Sequence, residues 1–229
     1  MPIPAKDKID ALLDAQNKAQ ALFQEIIVRG IIRPGSTESW INEQIYALAE
    51  DMYEVTTYWH KRIVRAGENT LQPYDENPPD LLVKEDDVVF LDLGPVFEAW
   101  EADFGRTYVL GDDPLKHKLC RDVESAFAQG KKHFDETPDI TARDLYLYAQ
   151  SLAKQNGWEY GGPIAGHLIG HFPHERIPGD KVTLYVHPDN PNRMRGPDAN
   201  GEERHWILEI HFVDRARKFG GFYEELLTI

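Results

Sequence analysis

An α+β fold of two halves, each helical first and stranded second, follows from three observations on this 229-residue sequence. Helical periodicity dominates residues 5 to 53 and returns from 114 to 155. A stretch of alternating β-branched and aromatic residues follows each helical stretch. Apolar residues at 41% and aromatics at 11% are enough to fill a core, which excludes wholesale disorder.

Taken in order, Ile9, Leu12, Leu13, Leu22, Phe23, Ile26 and Ile27 form a helical stripe within residues 5 to 29, and Gly30 stands where a C-terminal cap belongs. "PGST" at 34 to 37 offers Ser36 or Thr37 as N-cap of a second helix through "ESWINEQIYALAEDMY". The period then changes: "DVVFLDLG" (87 to 94) and "EADFGRTYVL" (101 to 110) predict the two strands of a hairpin. "PLKHKLCRDVESAFAQGKKHF" (114 to 134) predicts a helix, and Thr141 with Asp144 predicts a capping box opening another. Strands are expected at 181 to 187, 205 to 214 and 222 to 229. Two helices followed by strands thus occur twice, which suggests an internal duplication, although the halves share too little sequence to prove it. "LQPYDENPPD" (71 to 80) and "PDNPNRMRGPDANGEER" (188 to 204) carry turn chemistry throughout and are read as long loops, either binding loops or plain surface excursions, within one domain spanning 1 to 229.

A formal charge of -14 argues against binding nucleic acid, and fits cations, amine-bearing substrates or plain solubility. Cys120 is the only cysteine, so no intrachain disulfide forms. No run approaches the roughly 18 apolar residues of a membrane span, and the N-terminus has no signal-peptide core. A soluble cytoplasmic protein with no membrane association is expected.

Asp92 and Asp103 interrupt the strands of the first hairpin, and Glu209 in "WILEIHF" and Glu224 in "FYEEL" interrupt those of the second half. A carboxylate facing a core is costly unless paired, hydrogen-bonded or bound to a metal, although strand alternation lets any one of them face outward. "GHLIGHFPHE" (166 to 175) places His167, His171 and His174 between them. Alone, such a cluster fits a solvated loop as well as a ligand set. With four carboxylates it suits paired divalent ions.

Asp92, Asp103, His167, Glu209 and Glu224, in that order, resemble the five metal ligands of metallopeptidase family M24, the methionine aminopeptidase and Xaa-Pro peptidase family. The resemblance covers roughly residues 5 to 229, includes "ADFGRTYVLG" with Arg106, and implies the pita-bread fold: two pseudo-symmetric α-β halves around a curved antiparallel sheet. In the family pattern the metal-binding His is followed seven positions later by a second His and then Glu, which makes His167 the ligand, His174 a proton carrier or substrate binder, and Glu175 its neighbour. A register with His171 as ligand would need a His at 178, where Pro178 stands. "YWHKRIVRAGENT" resembles a segment contributing a substrate-facing His, matched by His60, whose plainer reading is a partly buried ring beside Trp59. His211 shares a strand face with Glu209 and is a further substrate-binding candidate.

The resemblance implies a hydrolase dependent on two divalent ions (Mn, Fe, Co or Zn), with Glu209 as base and His60 and His174 stabilising the intermediate. It implies aminopeptidase or dipeptidase action on N-terminal residues or Xaa-Pro bonds of a short peptide or small amide, and it leaves room for a homodimer. Leu168, Pro173 and "LEIHF" depart from the methionine-type pattern and put a methionine pocket in doubt. A same-fold small-molecule lyase or amidohydrolase, or a non-catalytic peptide-binding module, are the alternatives.

Overall fold

The computed structural model describes residues 5–173, 182–197, 201 and 203–229. Along the chain run α1 (Ala5–Val28), α2 (Glu38–Tyr53), β1 (Ile63–Ala66), β2 (Val88–Leu93), β3 (Val96–Phe97), β4 (Trp100–Glu101) and β5 (Phe104–Val109). The second half supplies α3 (Pro114–Glu136), α4 (Ala142–Asn156), β6 (Glu159–Tyr160), β7 (Leu168–Ile169), β8 (His205–Asp214) and β9 (Phe219–Leu226).

The caps are the ones local chemistry favours. Thr37 accepts from the Trp40 backbone N–H and starts α2. Thr141 and Asp144 satisfy each other's backbone as a capping box at α4, and Gly30 ends the turn after α1 at φ +63°.

Seven of the strands form one antiparallel sheet in the order β1-β2-β5-β9-β8-β6, with β7 pairing β8 off this path, and β3 and β4 pair separately. The β5–β9 pairing, through Gly105 opposite Glu224, joins the two halves. Alternation then divides the sheet's faces. Val89, Leu91 and Leu93 of β2 pack with Leu22, Ile26, Ile41 and Ile45 of α1 and α2. Leu208, Ile210 and Phe212 of β8 pack with Leu119, Val123, Leu145 and Leu152 of α3 and α4. Each helix pair covers its own half of one face, and the four interrupting acids stand on the other.

Three expectations need correction. The strand expected at 181 to 187 does not form among its described residues, 182 to 187: Val182–Leu184 is a single 3-10 turn, and Tyr185 makes only an isolated bridge to His167. Leu184 and Val186 are buried, so their apolar alternation reflects burial of a loop and not a ladder. The hairpin of β2 and β5 carries the small β3–β4 hairpin inside its connection. The last strand begins at Phe219, three residues ahead of the expected 222. No helix among the described residues is long and apolar enough to cross a membrane.

Glu38, at the start of α2, is buried and accepts from the Ala66 N–H (2.6 Å), Asn69 Nδ2 (2.8 Å) and the Leu81 N–H (3.1 Å). Burial pushes its carboxyl above the usual range, and these hydrogen bonds oppose the shift. It thereby ties the end of β1 and the loop before residue 81 to the first helical layer. Glu38→Ala strands three donors and should cost about 2–4 kcal/mol in urea unfolding, with Glu38→Gln losing less because one acceptor oxygen survives.

Candidate metal centre

The acids form a line because the register makes them one. Asp92 on β2 stands opposite Gly105 on β5, Gly105 opposite Glu224 on β9, and Glu224 opposite Glu209 on β8. Directly opposed residues on one face lie about 5 Å apart, so the row carries three carboxyl groups across four strands. Gly105 is the gap that lets them converge, since a Cβ there would stand 2.5 Å from the Phe222 ring and 3.0 Å from Glu224 Cβ. Asp103, two residues ahead of Gly105, adds a fourth.

Two histidines reach the row from loops. His167 leaves β8's flank, its backbone carbonyl accepting from the Ile207 N–H at 2.8 Å, and its Nε2 lies 2.9 Å from Asp103 Oδ2 and 3.7 Å from Glu224 Oε1. His60 Nε2 lies 3.2 Å from Asp103 Oδ1 and 3.5 Å from Asp92 Oδ1. The Trp59 ring packs beside both imidazoles, its centroid 4.4 Å from that of His60 and 4.9 Å from that of His167, and its Nε1–H donates to the Ala102 carbonyl at 3.1 Å. Trp59 and Gly105 are residues sequence reasoning gave no role; a glycine two positions after Asp103, within a β-branched and aromatic strand, was the available signal for Gly105.

The electrostatics are those of too many carboxylates in too little water. Burial lifts Asp92 to about 7 against the pull of His60, and lifts Glu209 to about 8 against that of His167. Burial also raises Glu224 well above the usual range. Asp103 is the exception: burial works upward on it too, but the two imidazoles bring it down to about 2. Burial would lower both histidines, yet Asp103 with Asp92 lifts His60 to about 9, and Asp103 with Glu224 lifts His167 well above its usual value.

Divalent ions fit this donor set. Asp92 Oδ1 and Glu224 Oε2 are buried with no hydrogen-bond partner, the state in which a polar atom is most costly unless an ion completes it. Ligand atoms of Asp103, His167 and Glu224 lie within 4.8 Å of one another, as do those of His60, Asp92 and Asp103. Hard oxygens with imidazole suit Mn, Fe, Co or Zn, and binding would displace the protons that now balance the carboxylates.

Behind the row, Arg106 donates to the Gly105 and Glu224 carbonyls at 2.8 Å each and to Glu225, its guanidinium lying 3.7 Å from both the Phe104 and Tyr223 ring centroids. It clamps β5 to β9 and so fixes where Glu224 points. His211 does share the face of Glu209, but its Nε2–H donates to the Thr70 carbonyl at 2.8 Å, and its ring is buried beside Phe90 and Phe222. Burial brings it down to about 4, so it stays neutral. In the 71 to 80 loop, Tyr74 is half-exposed with its ring 5.8 Å from His60.

His171 is exposed, its ring 5.3 Å from Trp100, and it joins none of these groups. His171→Ala should keep wild-type metal content by elemental analysis; a folded variant without metal would instead favour His171 as ligand. His174, Glu175 and Pro178 lie outside the described residues.

The sequence profile described as "Metallopeptidase family M24" matches residues 10–197. A Xaa-Pro dipeptidase of Lactobacillus helveticus is 30% identical over 162 residues, covering 69% of this chain and 42% of that protein. The chain spans less than half the length of the first proteins it matches by sequence. Among solved structures, a prolidase from Thermococcus sibiricus superposes with TM-score 0.77 at 22% identity, over 98% of this chain and 56% of that one. A methionine aminopeptidase from Rickettsia prowazekii gives 0.73 at 16% identity and covers all of both chains. These likenesses show the pita-bread fold.

Proposed function

The chain belongs to metallopeptidase family M24, and from that membership we propose that it is a dinuclear-metal-dependent hydrolase releasing N-terminal residues or splitting Xaa-Pro bonds of short peptides. The observation that carries this reading is the convergence of four carboxyl groups and His167, two of their buried oxygens without hydrogen-bond partners, on one face of the sheet.

Asp92, Asp103, His167, Glu209 and Glu224 would hold the ions. Bound divalent ions supply Lewis acidity toward a scissile carbonyl and ready ionisation of water near neutral pH. The rest falls to the chain. Glu209, at the end of the row and less buried than Glu224, is the carboxylate placed to accept the proton of the attacking water and return it to the leaving amine. Asp103, held ionised by its two imidazoles, is the one carboxyl group of the row that can meet a cation without first giving up a proton. Trp59 and the aromatic cluster of Phe90 and Phe222 wall the row and limit water beside it. His174 completes the set as substrate donor.

Metal-stripped protein restored separately with Mn²⁺, Fe²⁺, Co²⁺ or Zn²⁺ should cleave a panel of Met-initiated, Xaa-Pro and plain dipeptides, followed by mass spectrometry. Turnover that appears only with metal supports the proposal. Silence across the panel from a protein holding two ions would point to small-molecule chemistry, and silence without metal binding to a non-catalytic module.

A further inference from the structure

We propose that His60 is a nitrogen ligand of the centre, giving it one imidazole at each of two cation positions and six protein ligands in place of five. The proposal rests on the reading of the acidic row as a metal site. It assigns to His60 a different task from contacting substrate.

The two histidines are held alike. His167 has Nδ1 2.8 Å from the carbonyl of its own successor, Leu168, and Nε2 2.9 Å from Asp103 Oδ2. His60 has Nδ1 2.8 Å from the carbonyl of its successor, Lys61, and Nε2 3.2 Å from Asp103 Oδ1. A backbone carbonyl can only accept, so Nδ1 carries a hydrogen in both rings. The neutral form of each then has its Nε2 lone pair aimed at the carboxylates, the tautomer and outer-sphere hydrogen bond by which proteins orient a metal-binding imidazole. Asp103 thus offers one oxygen to each ring.

Each ring also belongs to a compact donor group. Ligand atoms of His60, Asp92 and Asp103 lie within 4.8 Å of one another, the same span that gathers Asp103, His167 and Glu224. Asp92 Oδ1, 3.5 Å from His60 Nε2, has no hydrogen-bond partner although it is buried. The position is also built for the ring: its side chain is 6% exposed, and a Cβ on Gly94 would stand 2.1 Å from His60 Cδ2. The Trp59 backbone N–H donates to the Gly94 carbonyl at 2.9 Å and fixes the loop there. An imidazole serving substrate would present Nε2 to the cleft; this one presents it to two carboxylates.

A second nitrogen moves the site toward Co²⁺, Zn²⁺ and Fe²⁺ and away from Mn²⁺ and Mg²⁺. The test titrates metal-stripped wild type and His60→Ala with Co²⁺, following visible absorption and calorimetry. Wild type should take up two equivalents, and the variant should lose at least about tenfold in affinity for one of them while keeping the other. Two equivalents in the variant at wild-type affinity, with an unchanged cobalt spectrum, would overturn the proposal and leave the metal-site reading standing. A wild type that binds no ion would overturn that reading first. A second measurement needs no variant: proton NMR of the Co²⁺-loaded wild type should show two exchangeable, hyperfine-shifted ring N–H signals, whereas a single one rules His60 out.

Discussion

Asp103→Asn is expected to leave a folded protein that turns over peptide on the order of a thousandfold more slowly, a loss of about 4 kcal/mol in transition-state stabilisation. Asp103 is the residue common to both donor groups, and its two oxygens face two different imidazoles. The substituted amide would fill the same volume while replacing one oxygen with an NH₂. That group can only donate, so one oxygen ligand is lost, and the negative charge that Asp103 gives to both donor groups goes with it. Elemental analysis should therefore find less than the wild-type metal content, alongside a kcat/KM at the limit of detection. The metal-induced rise in melting temperature should shrink with it, because ligand binding stabilises the fold by an amount that falls with the logarithm of lost affinity. Wild-type turnover at matched metal would remove Asp103 from the ligand set.

What the sequence disclosed about this site, and what it withheld, follows from the range of the forces involved. The caps at Thr37 and at Thr141 with Asp144 act within one helical turn, so composition suffices to find them. The acids in β2 and β8 were conspicuous because a charged residue amid buried apolar ones is expensive, a fact visible in a window of six to ten residues. The row is a different matter. It depends on which hairpin edge meets which, and the β5–β9 pairing that brings Glu224 beside Gly105 joins residues from opposite halves of the chain. No local pattern states that. The position of His60 is hidden for the same reason, since its partner Asp103 is 43 residues away. Family resemblance named the five acidic and imidazole positions and His60 without giving their geometry; the fold brings His60 Nε2 within 3.2 Å of Asp103 Oδ1 and 3.5 Å of Asp92 Oδ1. At 182 to 186, alternation of apolar residues misled because a buried loop and a half-buried strand leave the same trace in sequence.

Gly166→Ala is expected to be the most damaging single-methyl change among the residues that deliver the site. Gly166 sits at φ +131°, a region open almost only to glycine, and a Cβ there would lie 2.0 Å from the Ile207 carbonyl oxygen and 2.9 Å from its carbon. Those are backbone atoms of β8, locked between β9 and the ladder to β7, and they cannot swing aside as a side chain would. The segment carrying His167 must move instead. It would give up the Ile207 N–H to His167 carbonyl bond and the Val186 N–H to Gly166 carbonyl bond, both 2.8 Å, and draw His167 Nε2 off Asp103. Backbone strain and lost hydrogen bonds together should cost about 3 kcal/mol or more, a fall of roughly 6–12 °C in melting temperature for a chain of this size. Gly157 provides the control. It also has a positive φ, +84°, but a Cβ added there meets nothing within 4 Å, so Gly157→Ala should cost only about 1 kcal/mol of conformational strain. Equal losses for the two alanines would mean that dihedral strain alone, not the contact with β8, fixes glycine ahead of His167. A larger loss for Gly166→Ala, with metal content falling in that variant alone, would show that close approach of the loop to β8 is what holds His167 over the acidic row.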